Sequence, residues 1–146
     1  MQVNLAIQNN VFQAAQDYMV RHLVFYGCSC MYPKYCHQPI KEKYLLSGYV
    51  EETSRAYAIA KIAGISACKA YNDEFNTRRF IALVPASIYG PGDNFDLESS
   101  HVLGALMRKF YLAKINREKR VVLWGAANRK ESLSIARMLL MLLYSC

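Results

Sequence analysis

The sequence predicts an α/β fold built on a mainly parallel sheet, and three observations carry this. Segments of helical period alternate with short apolar runs, the helix–strand–helix–strand order that layers helices on a parallel sheet. The short runs lack polar alternation and several stop at glycine or proline, as strands buried on both faces do. Hydrophobic residues make up 53% of the 146, against 20% charged, which suffices for one packed core and is too apolar for a disordered chain.

Residues 4–20 read as the first helix, because Leu5, Ile7, Val11, Phe12, Ala15, Tyr18 and Met19 recur close to every 3.6 residues. Residues 22–26, His-Leu-Val-Phe-Tyr, form a strand ended by Gly27. Residues 28–50 hold Pro33, Pro39 and Gly48 without a sustained period. A long loop is expected there, and such loops are uncommon in a compact domain unless functional. Thr53 or Ser54 caps a second helix reaching about Phe75. Its alanines (Ala56, Ala58, Ala60, Ala63, Ala67, Ala70) favour helix and permit close packing. Residues 79–84 make another strand, stopped by Pro85. Residues 85–100 read as a Gly/Pro/Asp-rich loop, 101–113 as a third helix, 114–120 as a basic turn and 121–124 as a further short strand.

The formal charge of +7 suits nucleic acid, a phosphorylated ligand or an acidic lipid surface, and composition does not choose among them. The charges are scattered and no nucleic-acid recognition motif is present, so no nucleic-acid partner is expected. No run approaches the ~20 apolar residues that span a bilayer, so no membrane partner is expected either. Five cysteines, Cys28, Cys30, Cys36, Cys68 and Cys146, give an odd count. Residues 1–6 are too short and polar for a signal peptide. Reduced thiols in the cytoplasm are expected. The Cys28-Ser29-Cys30 spacing is too tight for a thioredoxin-type motif, and no second pair supplies a metal site.

The sharpest chemical signal is Tyr57-Ala58-Ile59-Ala60-Lys61. Tyr and Lys four apart share one helix face. A nearby ammonium stabilises phenolate and lowers a tyrosine pKa from ~10, which equips a phenol to protonate a carbonyl oxygen as hydride reaches the carbon. Taken alone, the pattern equally describes a packed tyrosine beside a solvated lysine. Around it stand Phe25-Tyr26-Gly27-Cys28-Ser29-Cys30-Met31-Tyr32-Pro33, which follows a strand, and Val84-Pro85-Ala86-Ser87-Ile88-Tyr89-Gly90-Pro91-Gly92-Asp93-Asn94-Phe95, which follows the next. Ser99-Ser100-His101-Val102 then opens a helix. Open α/β sheets present ligand-binding groups at strand C-termini.

These ordered segments resemble the extended short-chain dehydrogenase/reductases and, within them, the GDP-L-fucose synthases. Gln8-Asn9-Asn10-Val11-Phe12-Gln13-Ala14-Ala15, Cys30-Met31-Tyr32-Pro33-Lys34, Gln38-Pro39-Ile40-Lys41-Glu42, the Tyr57–Lys61 segment running on to Ile65, Tyr89-Gly90-Pro91-Gly92-Asp93-Asn94-Phe95, His101-Val102-Leu103 and Val121-Val122-Leu123-Trp124-Gly125 carry the resemblance over roughly residues 4–131. It implies a partial Rossmann-like parallel sheet with flanking helices over 1–131 and a divergent apolar tail over 132–146. It also implies NADPH-dependent 3,5-epimerisation and 4-reduction of GDP-4-keto-6-deoxymannose, and a homodimer through helices 4–20 and 53–75.

Roles follow from the resemblance residue by residue. Tyr57 donates the proton in keto reduction. Lys61 holds the nicotinamide ribose and acidifies the phenol. Cys30 and His101 form the acid/base pair for epimerisation. Pro85 and Ser87 stand with Tyr57, Lys61 and His101 on the cofactor side, and Lys109, Trp124 and Lys130 on the substrate side. Read as bare residues, Cys30 is a small packing residue, His101 a helix start, Lys109 a solvated cation and Trp124 a core aromatic. The sequence also departs from the family. No glycine-rich turn of the kind that seats a cofactor pyrophosphate is present. Cys28 stands where the family has a serine, and losing such a donor costs ~10²–10³ in rate. Ser87 replaces an asparagine, Arg55 a small or acidic residue, and Ala126-Ala127 a Gly-x-Gly. The tail reads either as a shifted reading frame or as an amphipathic helix. A truncated enzyme is therefore expected, with a non-catalytic remnant or dimerisation partner of an intact paralogue as the alternative.

Overall fold

In chain order the elements are α1 (Gln2–Asp17), β1 (Leu23–Tyr26), three single 3₁₀ turns (Ser29–Met31, Glu42–Tyr44, Glu52–Ser54), α2 (Arg55–Glu74), β2 (Phe80–Leu83), β3 (Ser87–Tyr89), α3 (Val102–Ile115) and β4 (Leu133–Ile135). They come from a computed structural model that describes residues 1–123 and the backbone of 133–135. The chain divides into two compact units, Met1–Pro85 and Ala86–Cys146.

In the first unit, β1 and β2 pair in parallel, with Leu23 opposite Phe80 and Tyr26 opposite Leu83. Parallel strands need a long crossover, and α2 supplies it. The core forms where α1, α2 and β2 meet, around Phe12, Ala15, Cys68 and Phe80, with Leu23, Phe25 and Tyr71 against it. The Phe12 ring lies 5.7 Å from Phe25, 5.6 Å from Tyr71 and 5.8 Å from Phe80. The alanines of α2 do what their size allows: Ala58 and Ala60 are fully covered. Gln8 of α1 comes close enough for its Nε2 to donate to the Ala60 carbonyl at 3.2 Å.

Two side chains close the lower end of this unit. Asn72 mimics a strand partner for β2: its Nδ2 donates to Phe80 O at 2.7 Å and its Oδ1 accepts from Phe80 N at 3.1 Å. Arg79 donates through Nη1 to Val20 O and through Nη2 to Gln16 Oε1, at 3.2 and 2.6 Å, fastening the end of α1 to the start of β2.

The three helices among the described residues stop in one way. Met19, Asn76 and Arg117 adopt positive φ (50°, 47° and 55°). The next residue donates back five positions: Val20 to Ala15, Thr77 to Asn72 and Glu118 to Ala113. This is a Schellman closure, usually built on glycine. The first helix therefore ends at Asp17, short of the expected 20.

In the second unit, β3 pairs in parallel with β4, Ser87 opposite Leu133 and Tyr89 opposite Ile135. This corrects the expectation of an uninterrupted loop over 85–100, since three residues are too few to show a period. Residues 121–123, expected to open a strand, are neither strand nor helix. There the Val122 carbonyl accepts from Lys109 Nζ of α3 at 3.3 Å. Asp96 shapes the turn before α3, its Oδ1 accepting from Glu98 N, Ser99 N and Ser99 Oγ at 2.8–3.1 Å. Those donors hold the Asp96 carboxyl below its usual range. Gly104 is required because a Cβ there would run into the Asn94 carbonyl oxygen. The tail expected over 132–146 lies outside the described residues except for β4.

Candidate functional site at the end of the first strand

The site starts from a small-residue contact. Gly64 of α2 lies on the Phe25 ring, and a Cβ there would overlap ring carbons. This approach brings the helix face that carries Gly64, Lys61 and Tyr57 onto the C-terminal end of β1. Gly27, the residue after the strand, is equally constrained: a Cβ would stand 2.6 Å from Met31 Cε and 3.1 Å from Val84 Cγ2.

Lys61 is fixed by this packing. Its Nζ donates to the Tyr26 carbonyl at 2.7 Å and stands 4.9 Å from the centre of the Phe25 ring. The same nitrogen lies 5.6 Å from the centre of the Tyr57 ring. An ammonium set between two aromatic faces and a carbonyl is held both by a charge-assisted hydrogen bond and by ring quadrupoles. Tyr57 is 43% exposed, so a positioned cation stands one helical turn from a phenol that solvent and ligands can reach.

The segment after Gly27 packs against α2 through its 3₁₀ turn. Cys28 is extended (φ −150°, ψ 157°) and opens the turn. Met31 N donates to Cys28 O at 3.2 Å and Tyr32 N to Ser29 O at 3.1 Å. Met31 is fully buried and Tyr32 nearly so. Burial first, then the nearby charges of Glu42 and Cys36, push the Tyr32 phenol above its ordinary range. Cys28 and Cys30 are joined as a disulfide, with Cα atoms 5.4 Å apart. This corrects the expectation of reduced thiols for these two residues: the turn folds the chain back so that side chains two apart meet on one side. Cys36 and Cys68 are free. The loop is closed further along by Lys34, whose Nζ pairs with Glu51 at 2.8 Å; the contact raises the lysine's pKa and lowers the carboxyl's.

Of the other expected site residues, Pro85 follows β2 at the end of the first unit. Ser87, His101 and Lys109 belong to the second. Ser87 begins β3 and is exposed. His101 is the exposed residue before α3, its carbonyl accepting from Ala105 N at 3.0 Å. A cleft of about 320 Å³ lies between the 89–95 segment and α3, lined by Tyr89, Pro91, Phe95, Leu103 and Met107 among others. Trp124 and Lys130 fall outside the described residues. Sequence reasoning missed the Tyr26 carbonyl and the Phe25 ring. The first is backbone and carries no residue signal, and the second reads only as a strand residue.

The family model for the NAD dependent epimerase/dehydratase family matches residues 1–134. The chain is 49% identical over 126 residues to GDP-L-fucose synthase 1 of Arabidopsis thaliana, covering 86% of this chain and 39% of that protein. It is 44% identical over 123 residues to GDP-L-fucose synthase of Escherichia coli, covering 84% and 38%. A solved GDP-L-fucose synthetase of Naegleria fowleri bound to NADP superimposes with a TM-score of 0.82 at 28% identity, covering 96% of this chain and 47% of that one. The chain thus spans about two fifths of the length of the curated relatives it matches.

Proposed function

The chain belongs to the NAD dependent epimerase/dehydratase family, and from that premise we propose that it carries part of a GDP-L-fucose synthase-like site. The activity is NADPH-dependent 3,5-epimerisation and 4-reduction of GDP-4-keto-6-deoxymannose. One observation carries the reading: Lys61 Nζ is fixed on the Tyr26 carbonyl at 2.7 Å beside the Tyr57 ring. In the proposed reaction Tyr57 gives its phenolic proton to the C4 oxygen. Lys61 stabilises the charge that develops on that phenol and donates to the nicotinamide ribose. Bound NADPH supplies the hydride. The donor set at the end of β1, an ammonium and a phenol on one helix face, fits the ribose end of this cofactor. Among the described residues no helix N-terminus follows a glycine-rich turn, and none is assigned to the pyrophosphate. Pro85, Ser87 and His101 complete the proposed cofactor contacts.

Epimerisation needs a base and an acid for protons made acidic by the neighbouring ketone. Cys30 in its thiolate form and His101 take these roles, and Cys28 offers a weak S–H donor where relatives use a serine. Lys109, Trp124 and Lys130 are assigned to the nucleotide-sugar substrate. All the catalytic and cofactor groups fall within residues 1–131, the expected domain, with the remainder a divergent tail.

The homodimer and the cytoplasmic setting belong to the same proposal. Val3, Ile7 and Val11, at successive turns of α1, are 70, 57 and 51% exposed. They offer an apolar stripe to a second copy through helices 4–20 and 53–75. No helix among the described residues is long and apolar enough to cross a membrane.

Titrating the full chain with NADPH tests the reading. Saturable binding that Lys61→Met weakens at least about tenfold is expected for a lost charge-assisted contact. No measurable affinity would overturn it in favour of a non-catalytic dimerisation partner.

A further inference from the structure

The paired sulfurs point to chemistry that the proposed reaction does not use. Cys28 and Cys30 flank the exposed Ser29 and are themselves half-buried. Their Cα separation of 5.4 Å lies inside the range a disulfide spans without moving backbone. The turn that presents them is held by its own backbone hydrogen bonds and packs on α2, the helix of Tyr57 and Lys61. A loop this short constrains the unfolded chain little, so the bond is a poor structural staple. A partly exposed disulfide is open to thiol exchange. Of the free thiols described, Cys68 is 3% exposed and inaccessible and Cys36 is half-buried; it is the turn geometry that sets Cys28 and Cys30 as the sulfurs positioned to react with each other.

We propose that Cys28 and Cys30 form a reversible dithiol–disulfide site, oxidised by a hydroperoxide and reduced by a dithiol. The Cys30 thiolate attacks one peroxide oxygen; the O–O bond breaks, a sulfenic acid forms on Cys30 and, for hydrogen peroxide, one water leaves after protonation. The Cys28 thiol then attacks that sulfenic sulfur; the S–S bond forms, the S–O bond breaks and a second water leaves. Two electrons have passed from the sulfurs to the peroxide. A dithiol reverses the bond by two exchanges and is itself oxidised to a disulfide. The consequence for turnover rests on the function proposed above. Oxidised, Cys28 has no S–H to offer the substrate carbonyl and Cys30 has no thiolate to move a proton. A family serine at position 28 would leave Cys30 without this partner, so the site belongs to the substitution this chain carries.

Intact mass and alkylation of the full chain, before and after hydrogen peroxide, test the site independently of activity. The expected oxidised chain is lighter by two hydrogen atoms. Peptide mapping should find Cys28 and Cys30 linked and both closed to iodoacetamide, and dithiothreitol should reopen both. In Cys28→Ser, peroxide should instead carry Cys30 on to sulfinic acid, which dithiothreitol does not reverse. The proposal fails if peroxide leaves both residues alkylatable, if either links to another cysteine, or if Cys28→Ser reopens as readily as the parent chain. Turnover is read separately, with a fall of about 10²-fold on oxidation and full return on reduction. A reduced chain that binds no NADPH counts against the function proposed above, while the mass and mapping data still decide the sulfur site.

Discussion

Residues 1–85 and residues 86–123 are held by different kinds of contact. In the first unit several polar contacts join separate elements across the sequence: Gln8 to Ala60, Lys61 to Tyr26 and Arg79 to Val20, with Asn72 of α2 on Phe80 of β2. They surround an aromatic cluster in which Phe12 is 2% exposed. In the second, most bind neighbours in sequence, as in the Asp96–Ser99 turn. Among its described residues only the small Gly104 and Ala113 are buried, while Met107, Phe110 and Tyr111 are all more than half exposed. The difference teaches where a fixed geometry can be built. A cation must be held within fractions of an ångström to act on a neighbouring phenol, and that takes rigid elements packed on a core.

The contrast breaks most visibly with Phe12→Ala. Removing a fully buried ring costs about 3–5 kcal/mol, whereas Met107→Ala, at an exposed position, should stay within about 0.5 kcal/mol. Urea denaturation of the two variants compares them directly, and similar losses would erase the distinction between the units. Gly64→Ala sharpens the contrast within the first unit. The new methyl meets the Phe25 ring, and overpacking of this kind costs about 1–3 kcal/mol. NADPH affinity should fall along with stability, because Lys61 rides on the same helix turn.

Alkaline pH gives a further expected effect of about 2–3 kcal/mol. Burial pushes the Cys68 thiol up from 9.0 to about 11. The folded chain therefore keeps a proton that the unfolded chain releases. The stability this contributes is complete below pH 9 and is lost as pH rises through 11. Urea midpoints measured from pH 8 to 11 should decline more steeply for the parent chain than for Cys68→Ala; parallel slopes would show that the thiol is not buried. The smallest effect belongs to a helix end: Arg117→Gly relieves a left-handed arginine and should stabilise by about 0.5 kcal/mol, read as a small rise in melting temperature.

Much of the fold is legible in the residues. The periods of α1, α2 and α3 and the apolar runs of β1 and β2 mark those elements, because each buries a face against the others. The helix ends are not, since Met19 and Arg117 occupy left-handed positions where glycine is the usual signal. β3 escapes notice because three residues find a partner more than forty positions away. At the site, the spacing of Tyr57 and Lys61 is plain in the sequence. What holds the lysine is not, because the Tyr26 carbonyl is backbone and the Phe25 ring reads as core. Cys28 and Cys30 read as thiols because spacing alone says nothing about the turn that folds them together.

The coupling between Tyr57 and Lys61 can be measured by a double-mutant cycle on NADPH-dependent reduction, using Tyr57→Phe, Lys61→Met and the pair in the full chain kept reduced. Each single change should lower the rate by about 10²-fold or more, and the double variant should fall no further than the worse single one, because the two groups act as a unit. Losses that multiply would mean that the ammonium and the phenol work independently, and would contradict the site described here.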